Sequence, residues 1–260
     1  MAEDTLFVEE RKQKILEFIE ERRKATVAEL CERFKVSSAT IRNDLRDLQS
    51  SNQLIRTHGG AIVRSRTGLE TDMNARRVQN LAAKRKIAEA AVRLVEDGDT
   101  IILDSGTTSL ELARLLAQKR DLTVVTNDLT IALCLEDFDA VRVVLMGGSL
   151  RKRFHCTVTH GPTADGMLSG LTVDKAFMGV NSFSIEKGAS TPDIAHAETK
   201  KLMMGIAAKI ILLFDASKME RNSFALFAPL DRVDTIVTDS IRDEDRKTLE
   251  ENGIEVITAD

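Results

Sequence analysis

The sequence predicts an α/β protein with an N-terminal winged helix-turn-helix and a C-terminal, mostly parallel α/β domain. Between residues 25 and 64, two short helical patterns joined by a tight turn are followed by a small hairpin. After residue 80, short apolar strands alternate with amphipathic helices, which is typical of a parallel sheet covered on both faces. A chain of 260 residues is long enough for two such domains, each with its own core.

The N-terminal domain begins with a predicted helix over residues 9–22 and a short helix around Leu30. A third helix starts at Ser37 or Ser38, whose hydroxyl can accept a backbone N–H of the first turn, and extends to about Ser50. One face of this third helix is apolar, because its hydrophobic residues recur at helical spacing: Ile41, Leu45 and Leu48.

The opposite face of the third helix has short polar groups near its start and arginines along it, as a helix in a DNA major groove requires. Strands over 54–56 and 61–63, joined by a turn at Gly59-Gly60, predict a wing. We therefore expect double-stranded DNA as a partner. The candidate DNA-binding residues are Ser38, Thr40, Arg42, Asn43, Arg46, Arg56 and His58.

The charge distribution favours DNA binding over the alternative of a helical bundle whose charges are merely solvated. Residues 11–66 carry thirteen Lys and Arg against seven Asp and Glu, whereas the whole chain has a net charge of −4. A basic head on an acidic body is what binding to backbone phosphates predicts. Trp and Tyr are absent, which argues against stacking on single-stranded nucleic acid.

The composition also argues against membrane and secreted proteins. No apolar run is long enough to span a bilayer, and the first residues are acidic, unlike the start of a signal peptide. The three scattered cysteines, Cys31, Cys134 and Cys156, are typical of reduced thiols. We expect a cytoplasmic protein without a cofactor or a metal site.

The predicted domains are a DNA-binding domain over 1–64, a polar linker over 65–80 and an α/β domain over 81–260. In the last of these, a first helix ends at Asp97-Gly98. The strands that follow are expected at 100–103, 123–126, 141–146, 175–178, 210–214, 235–237 and 255–257. The helices between them are expected at 110–117, 129–135, 196–208 and 243–252.

The loop after the first of these strands is a candidate anion site, since ligands of parallel sheets bind beyond the carboxyl ends of the strands. Hydroxyl groups and a glycine in front of a helix N-terminus can cradle a phosphate. An ordinary helix cap is the alternative, although one cap requires fewer hydroxyls. The loop consists of Asp104, Ser105, Gly106, Thr107, Thr108 and Ser109.

Polar residues and glycines that follow other strands are predicted to converge on the same edge. Asn127 and Asn181 could bond to sugar hydroxyls, and Gly148 could keep a pocket open. Lys200, which is predicted to open a helix, and Lys218 could reach a phosphate as cations. The alternative for each lysine is a solvated surface charge.

Along essentially its full length, the chain resembles the DeoR family of bacterial transcriptional regulators. The N-terminal resemblance lies in SSATIRNDLRDLQ and RTHGGAIV. The C-terminal resemblance lies in AEAAVRLVEDGDTIILDSGTTS, VVTND, LMGGSLR, DKAFMGV, AETKKLM, LLFDASK and DTIVTD. It implies a sensor domain similar to ribose-phosphate isomerases and CoA transferases.

The resemblance also implies a function. The chain would repress sugar or polyol catabolic genes, and a phosphorylated sugar or polyol effector would release it from its operator. The phosphate would bind at residues 105–109, with Asn127, Lys200 and Lys218 near the sugar. A homo-oligomer, either a dimer or a tetramer, would present paired heads to a repeated or palindromic operator.

Two segments depart from this pattern. Residues 181–183 read Asn-Ser-Phe where family members often have a glycine-containing turn, which affects the sugar selectivity that can be inferred. Residues 151–163 contain His155, Cys156 and His160, but not at a spacing typical of a zinc site. We expect this second segment to be a flexible lid over the pocket.

The alternative function is a sugar-phosphate isomerase with a DNA-binding appendage. Such an enzyme needs a general base near the substrate carbon. The isomerases that the sensor resembles carry acidic residues where this chain has none, at residues 179–184. Asp174, Asp193 and Asp215 remain as possible bases, but we assign no catalytic residue and expect a regulator rather than an enzyme.

Overall fold

The computed structural model describes residues 7–22, 24–51, 53–57, 59–63, 73–159 and 166–259. The chain divides into two compact units, Met1–Arg66 and Thr67–Asp260. Each unit encloses its own hydrophobic core. Within the described ranges, no helix combines the length and the apolar character needed to cross a membrane.

The first unit is a winged helix-turn-helix. Its helices are α1 (Val8–Arg22), α2 (Val27–Phe34) and α3 (Ser38–Ser50), and its strands are β1 (Lys24–Thr26), β2 (Leu54–Thr57) and β3 (Gly60–Val63). The strands form an antiparallel sheet in the order β1-β3-β2. The core between helices and sheet contains Ile15, Ile19, Leu30, Ile41, Leu45, Leu48 and Leu54.

Short polar residues set the starts of α2 and α3. At α2, Thr26 and Glu29 form a reciprocal capping box. At α3, Ser37 is the N-cap, and its Oγ accepts the Thr40 N–H at 3.1 Å. Helix α3 therefore begins at the position that its sequence predicts.

An ion pair that the sequence pattern does not reveal joins α1 to α3. The Arg11 guanidinium donates to the Asp44 carboxylate at 2.7 Å and 3.1 Å, and both side chains are buried. This two-bond geometry fixes the orientation of α3 against α1. Asp44 can lie among the buried apolar residues of α3 because the Arg11 guanidinium pairs with its charge.

Gly60 has a different role from the predicted turn. It lies in β3, where β1 pairs alongside, and a Cβ atom there would lie 2.0 Å from the Ala25 carbonyl oxygen. Only glycine allows this close approach. The three-residue strand β1 is too short to produce a periodic signal, so the sequence analysis missed it.

The second unit is built on a parallel sheet. Its helices are α4 (Met73–Val78), α5 (Leu81–Ala91), α6 (Thr107–Leu115), α7 (Leu129–Leu135), α8 (Ile194–Gly205) and α9 (Asp243–Glu251). The sheet strands are β4 (Thr100–Leu103), β5 (Leu122–Thr126), β6 (Val141–Leu145), β9 (Val173–Gly179), β12 (Ala207–Leu213), β14 (Thr235–Thr238) and β15 (Glu255–Thr258). Further strands are β7 (Ser149–Arg151), β8 (Cys156–Val158), β10 (Ser182–Ser184), β11 (Gly188–Thr191) and β13 (Ala225–Ala228).

The seven-stranded sheet has the order β15-β14-β12-β9-β4-β5-β6, with every neighbouring pair parallel. Successive residues of the strands face opposite cores, as in β9, where Phe177 packs on one side and Met178 on the other. Strands β12, β9 and β4 are neighbours in the middle of the sheet. The loops after these three strands therefore open onto the same place.

The structure differs from the predicted elements in two positions that matter for ligand binding. Helix α6 begins at Thr107, three residues earlier than expected, so Thr107, Thr108 and Ser109 form its first turn. Helix α8 begins at Ile194, with Asp193 as its N-cap, so Lys200 lies in the middle of the helix and does not open it.

The predicted linker over 65–80 is helical in its second half. Residues 65–72 lie outside the described residues, but Met73 is buried and begins α4, which belongs to the second unit. The polar composition of α4 hid the helix from periodicity arguments, because its six residues cover fewer than two turns.

The predicted lid is wrong for residues 151–159. Strands β7 and β8 pair as a hairpin, and the Thr157 N–H donates to the Asn127 carbonyl at 2.8 Å. Cys156, Thr157 and Thr159 are buried. The hairpin is thus a fixed part of the unit, while His160 and residues 161–165 lie outside the described residues.

Candidate functional site

One face of α3 presents polar side chains to solvent. Ser38, Arg42, Asn43 and Arg46 are all exposed, while the apolar residues of α3 are buried on the other side. Neighbouring members of this face hold each other: Arg46 donates to the Asn43 Oδ1 at 3.1 Å, and an Arg42 nitrogen lies 3.5 Å from the Ser38 Oγ. These contacts between side chains of α3 hold the two arginines in place while their guanidinium groups stay exposed.

The other predicted DNA-binding residues differ in their exposure. Thr40 is half-buried, and its Oγ1 lies 2.9 Å from the Ser37 Oγ, so its hydroxyl takes part in the helix cap. Arg56 on β2 is half-buried. His58 lies outside the described residues.

A cleft opens at the carboxyl ends of β4, β9 and β12 in the second unit. It contains the three central loops of the sheet, together with residues of α4 and α5. Three of its side chains are cationic and one is a carboxylate. Its lining comprises Arg76, Gln79, Asn80, Lys84, Gly106, Thr107, Thr108, Gly179, Val180, Phe214, Asp215 and Lys218.

The first turn of α6 forms one wall of this cleft. Gly106 precedes the helix with a φ of 153°, a backbone conformation that side chains disfavour. Its N–H lies 3.3 Å from the Asp128 Oδ2, which holds the loop in place. Thr107 and Thr108 then place hydroxyls and backbone N–H groups at a helix N-terminus, an arrangement that binds anions.

Lys84 on α5 also lines the cleft and is buried. Its ammonium donates to the carbonyls of Arg76 and Gln79. Burial lowers the pKa of Lys84 to about 8, with the nearby Lys218 and Arg76 charges acting in the same direction and Asp215 opposing them. An anion in the cleft would stabilise the protonated form of this lysine.

The turn after β12 completes the cleft. Asp215 accepts the Asn80 amide at 2.9 Å and the Ser217 N–H at 3.2 Å. Burial alone would raise the pKa of Asp215, but the Lys218 charge and the bonds from Ser217 and Asn80 outweigh it and lower that pKa. Three cations therefore surround one carboxylate that is already well bonded, which leaves the cleft with an excess of positive charge.

Asp104 and Lys200 lie beneath the cleft rather than in its lining. The Lys200 ammonium is fully buried and bonds to the Asp104 carboxylate and to the Gly179 carbonyl, the latter at 2.9 Å. The Gly179 N–H also donates to Asp104, at 2.9 Å. Burial raises the pKa of Asp104, against the opposing effect of Lys200. Both predicted ligand-binding residues thus hold β4, β9 and α8 together.

Ser105 and Asn127 also make bonds within the protein. The Ser105 N–H donates to the Asn127 Oδ1 at 3.1 Å, and the Asn127 amide donates to the Thr157 carbonyl at 2.9 Å. The Ser105 Oγ lies 3.1 Å from the His196 Nε2. Burial, followed by Lys200 and Arg151, lowers the pKa of His196 well below its usual value, so this ring is neutral. Asn127 therefore supports the loop, and its contact with a sugar stays a prediction.

The remaining predicted residues are not part of the lining. A Cβ atom at Gly148 would lie 2.3 Å from the Val158 carbonyl oxygen, so this glycine permits the β7–β8 hairpin and does not widen a pocket. Ser109 is fully buried, and its Oγ has no hydrogen-bond partner among the described residues. Asn181 is half-buried and follows Val180 of the lining.

Gly106, Thr107, Thr108 and Lys218, which were predicted to bind the effector, line the cleft, whereas its α4–α5 wall was not predicted. One signal could have revealed Lys84: it shares the spacing of the buried face of α5, with Ile87, Ala88 and Ala91. A lysine within an apolar stripe requires either a partner or a ligand. Arg76 and Asn80 gave no such signal, because they lie in the segment taken for a linker.

Both units match known families. Residues 11–67 match the family described as the DeoR-like helix-turn-helix domain. Residues 79–240, more than half of the chain, match the DeoR C terminal sensor domain. The two matches follow each other in the same order as the two units of the structure.

Curated relatives match over nearly their whole length. The HTH-type transcriptional regulator GlpR of Haloferax volcanii is 37% identical over 249 residues, covering 95% of this chain and 96% of that protein. The HTH-type transcriptional repressor GlcR of Bacillus subtilis is 34% identical over 259 residues, covering 98% of each chain. The transcriptional repressor AccR of Agrobacterium fabrum is 32% identical over 233 residues, covering 89% of this chain and 90% of that repressor.

A solved structure, ribose 5-phosphate isomerase A from Methanocaldococcus jannaschii, matches with a TM-score of 0.40 at 19% identity, covering 54% of this chain and 55% of the isomerase. The full-length relatives are named as regulators and repressors. The chain accordingly belongs to the DeoR family of DNA-binding transcriptional regulators, and it is a regulator rather than an enzyme.

Proposed function

We propose that this regulator represses genes of sugar or polyol catabolism and that a phosphorylated sugar or polyol, bound in the cleft of the second unit, releases it from its operator. The exposed face of α3 reads the operator, and the cleft detects the metabolite. Both activities belong in the cytoplasm, where the DNA and the phosphorylated sugar are found together.

The composition of the cleft is the observation that carries this proposal. Lys84, Lys218 and Arg76 surround the N-terminal turn of α6, where Thr107 and Thr108 offer hydroxyls. A phosphate monoester has several acceptor oxygens and about two negative charges at neutral pH, and this set of donors complements both. Asn80 and Asp215 are the candidates for the sugar hydroxyls, since an amide and a carboxylate bond well to such groups.

The names and the family of the relatives support a repressor that senses a ligand. The matching family is a sensor domain, and GlcR and AccR are named as transcriptional repressors. Release from DNA then requires that the ligand favours an arrangement of the oligomer in which the heads no longer fit the operator.

Replacing both threonines of the cleft tests the site. In the double variant Thr107→Val, Thr108→Val, two hydroxyl donors to the phosphate are lost while volume is preserved. Each bond to a charged oxygen contributes about 1.5–3 kcal/mol, so we expect Kd to rise at least about a hundredfold. The measurement is calorimetric titration with the compound that most stabilises the wild-type protein in a thermal-shift screen of hexose, pentose and polyol phosphates.

Thr248→Val is the matched control, because its hydroxyl bonds to the Glu244 carbonyl on α9, outside the lining of the cleft. The control should bind like the wild type. Unchanged affinity in the double variant would mean that the phosphate binds elsewhere. Operator binding without ligand should be normal in both variants.

Arg42→Ala tests the DNA-reading face. Loss of a base or phosphate contact should weaken operator binding by about 1–3 kcal/mol per head. Gel-shift titrations at several salt concentrations separate the two cases, since loss of a phosphate contact lowers the salt dependence whereas loss of a base contact relaxes sequence preference. Lys14→Ala on α1, an exposed lysine 2.9 Å from Glu10, is the control. Equal affinity of the Arg42 and Lys14 variants would contradict the assignment of α3.

A further inference from the structure

The parallel sheet of the second unit ends at β6, and no strand among the described residues pairs with the outer edge of β6. The Leu122 N–H donates to the Ala140 carbonyl and the Met146 N–H donates to the Thr126 carbonyl, so even-numbered residues of β6 face β5. In a parallel ladder, the alternate residues then point their backbone groups outward. No described residue bonds to the outward N–H and C=O groups of Val143 and Leu145.

Apolar side chains border this open edge. Val144 is 40% exposed and Leu145 is 46% exposed, and they lie on opposite faces of the strand. Leu133 on the adjacent helix α7 and Leu150 just after the strand are also exposed. Proteins usually protect an open edge with a charge, a proline or a bulge. Within β6 the single charged residue is Arg142, near the start of the strand.

The opposite edge of the same sheet is protected. At β15, the Arg246 guanidinium donates to the outward Val256 carbonyl at 3.0 Å and also to the Thr258 hydroxyl. A charged side chain thus occupies one of the backbone acceptors that another strand would need. The two edges of this sheet therefore differ, since among the described residues no side chain bonds to the outward backbone groups of β6.

We propose that β6 pairs antiparallel with β6 of a second copy of this chain, with Val144 on the two-fold axis. In this register, Val143 lies opposite Leu145 of the other copy, and the reverse pair is identical by symmetry. Both residues have outward N–H and C=O groups, so the pairing forms four backbone hydrogen bonds. Val144 meets its own equivalent as a closely spaced pair without hydrogen bonds.

The charges of the strand are compatible with this self-association. Arg142 lies two residues from the axis, so the two arginines stand four residues apart along the shared ladder, roughly 13 Å at strand spacing. That separation exceeds the Debye length of about 8–10 Å at physiological salt. The choice of a second copy as the occupant rests on the proposed function, since reading an operator with half-sites requires at least two heads.

Opposite charges at the axis position test the pairing. Val144→Glu and Val144→Lys each place two like charges against each other. Each variant alone should therefore sediment at half the mass of the wild-type assembly. An equimolar mixture of the two variants should recover the wild-type mass, because the unlike charges then face each other. Leu171→Glu, at a residue with 44% exposure, is the control and should keep the wild-type mass. Circular dichroism melting verifies that each variant is folded.

Cysteine substitution gives a second, independent measurement of the register. In the proposed pairing, Val144→Cys brings two equivalent Cα atoms to about 4.5–5.5 Å, within the range of a disulfide. Leu145→Cys places its equivalent beyond the roughly 7 Å that a disulfide can span, and it serves as the matched control. Mild oxidation should therefore yield a covalent dimer of the Val144→Cys variant, above the background of the wild type and of the control.

Unchanged mass in both charge variants would overturn the pairing, as would equal cross-linking of the two cysteine variants. Neither result affects the proposed function, which is measured by operator and sugar-phosphate binding of the wild-type protein. Conversely, a wild-type protein that binds neither DNA nor sugar phosphate would contradict the function while leaving the pairing supported by sedimentation.

Discussion

The variant Lys200→Met is expected to lose about 3–5 kcal/mol of unfolding free energy in the second unit, the usual effect of removing one partner from a buried ion pair. Asp104 would be left fully buried, with backbone N–H donors but no cation. One oxygen of this carboxylate, Oδ1, already has no hydrogen bond among the described residues. Chemical denaturation followed by circular dichroism measures the loss.

The neighbouring residue provides the control for this prediction. Lys201 is exposed and pairs with Glu198 at 2.9 Å on the surface of α8, so Lys201→Met should change stability by about 0.5 kcal/mol or less. Adding Asp104→Asn to Lys200→Met should recover part of the loss, because the unpaired charge is removed. A loss below about 1 kcal/mol in Lys200→Met would show that the pair does not hold the floor of the cleft.

The variant Lys84→Met is expected to weaken sugar-phosphate binding by about 2–5 kcal/mol, roughly thirtyfold to several thousandfold in Kd. Truncating one side of a buried charge pair removes the attraction and leaves the other charge without its partner. Calorimetric titration measures the change. Lys86→Met is the matched control, since Lys86 is exposed on the same helix and lies outside the lining of the cleft.

The pH dependence of binding gives this prediction a second readout. The pKa of Lys84 is about 8 in the free protein, and a bound phosphate raises it. Wild-type affinity should therefore fall as the pH rises above about 8, by up to tenfold per pH unit, because binding then requires the uptake of a proton. The Lys84→Met variant should lack this fall. An identical pH profile in both proteins would contradict the role of Lys84.

The stability of the ligand-free protein should respond to pH in the opposite direction. The folded-state pKa of Lys84, about 8, is lower than the ordinary value of 10.5, so the unfolded chain binds more protons between these pH values. The contribution of Lys84 to unfolding free energy therefore rises as the pH increases from about 8 to 10.5. Comparing wild type and Lys84→Met in this window isolates the contribution, because the methionine variant has no such titration.

The sequence alone was sufficient for the architecture of both domains. Helical and strand periodicities located α3 and the parallel strands to within a few residues, since burial on one or both faces imposes a repeating pattern. Gly106, Thr107 and Thr108, which the sequence predicts to bind an effector, line the cleft, because their position between a strand and a helix follows from local order in the chain.

The predicted ligand residues that do not line the cleft bond to protein groups that are far from them in the sequence. Lys200 and Asp104 are 96 residues apart, and Asn127 bonds to Thr157 across 30 residues. A polar residue near a strand end looks the same in the sequence whether its bonds go to a ligand or to the protein itself. The partner of each group became apparent only with the packing of α8 and of the β7–β8 hairpin.

The sequence by itself determined the amphipathic helix that we propose reads DNA, the order of strands and helices along the chain, and the hydroxyl-rich turn that begins α6, because each depends on periodicity and neighbouring residues. Only the tertiary structure decided which cations face the cleft. The strand order brings β4, β9 and β12 together, and α4 and α5 then supply Arg76 and Lys84 from a segment that local patterns left undefined. Lys84 belongs to an apolar stripe of α5 in the sequence. It becomes a candidate phosphate ligand because pairing between distant strands, and the burial that follows from it, place it at the cleft.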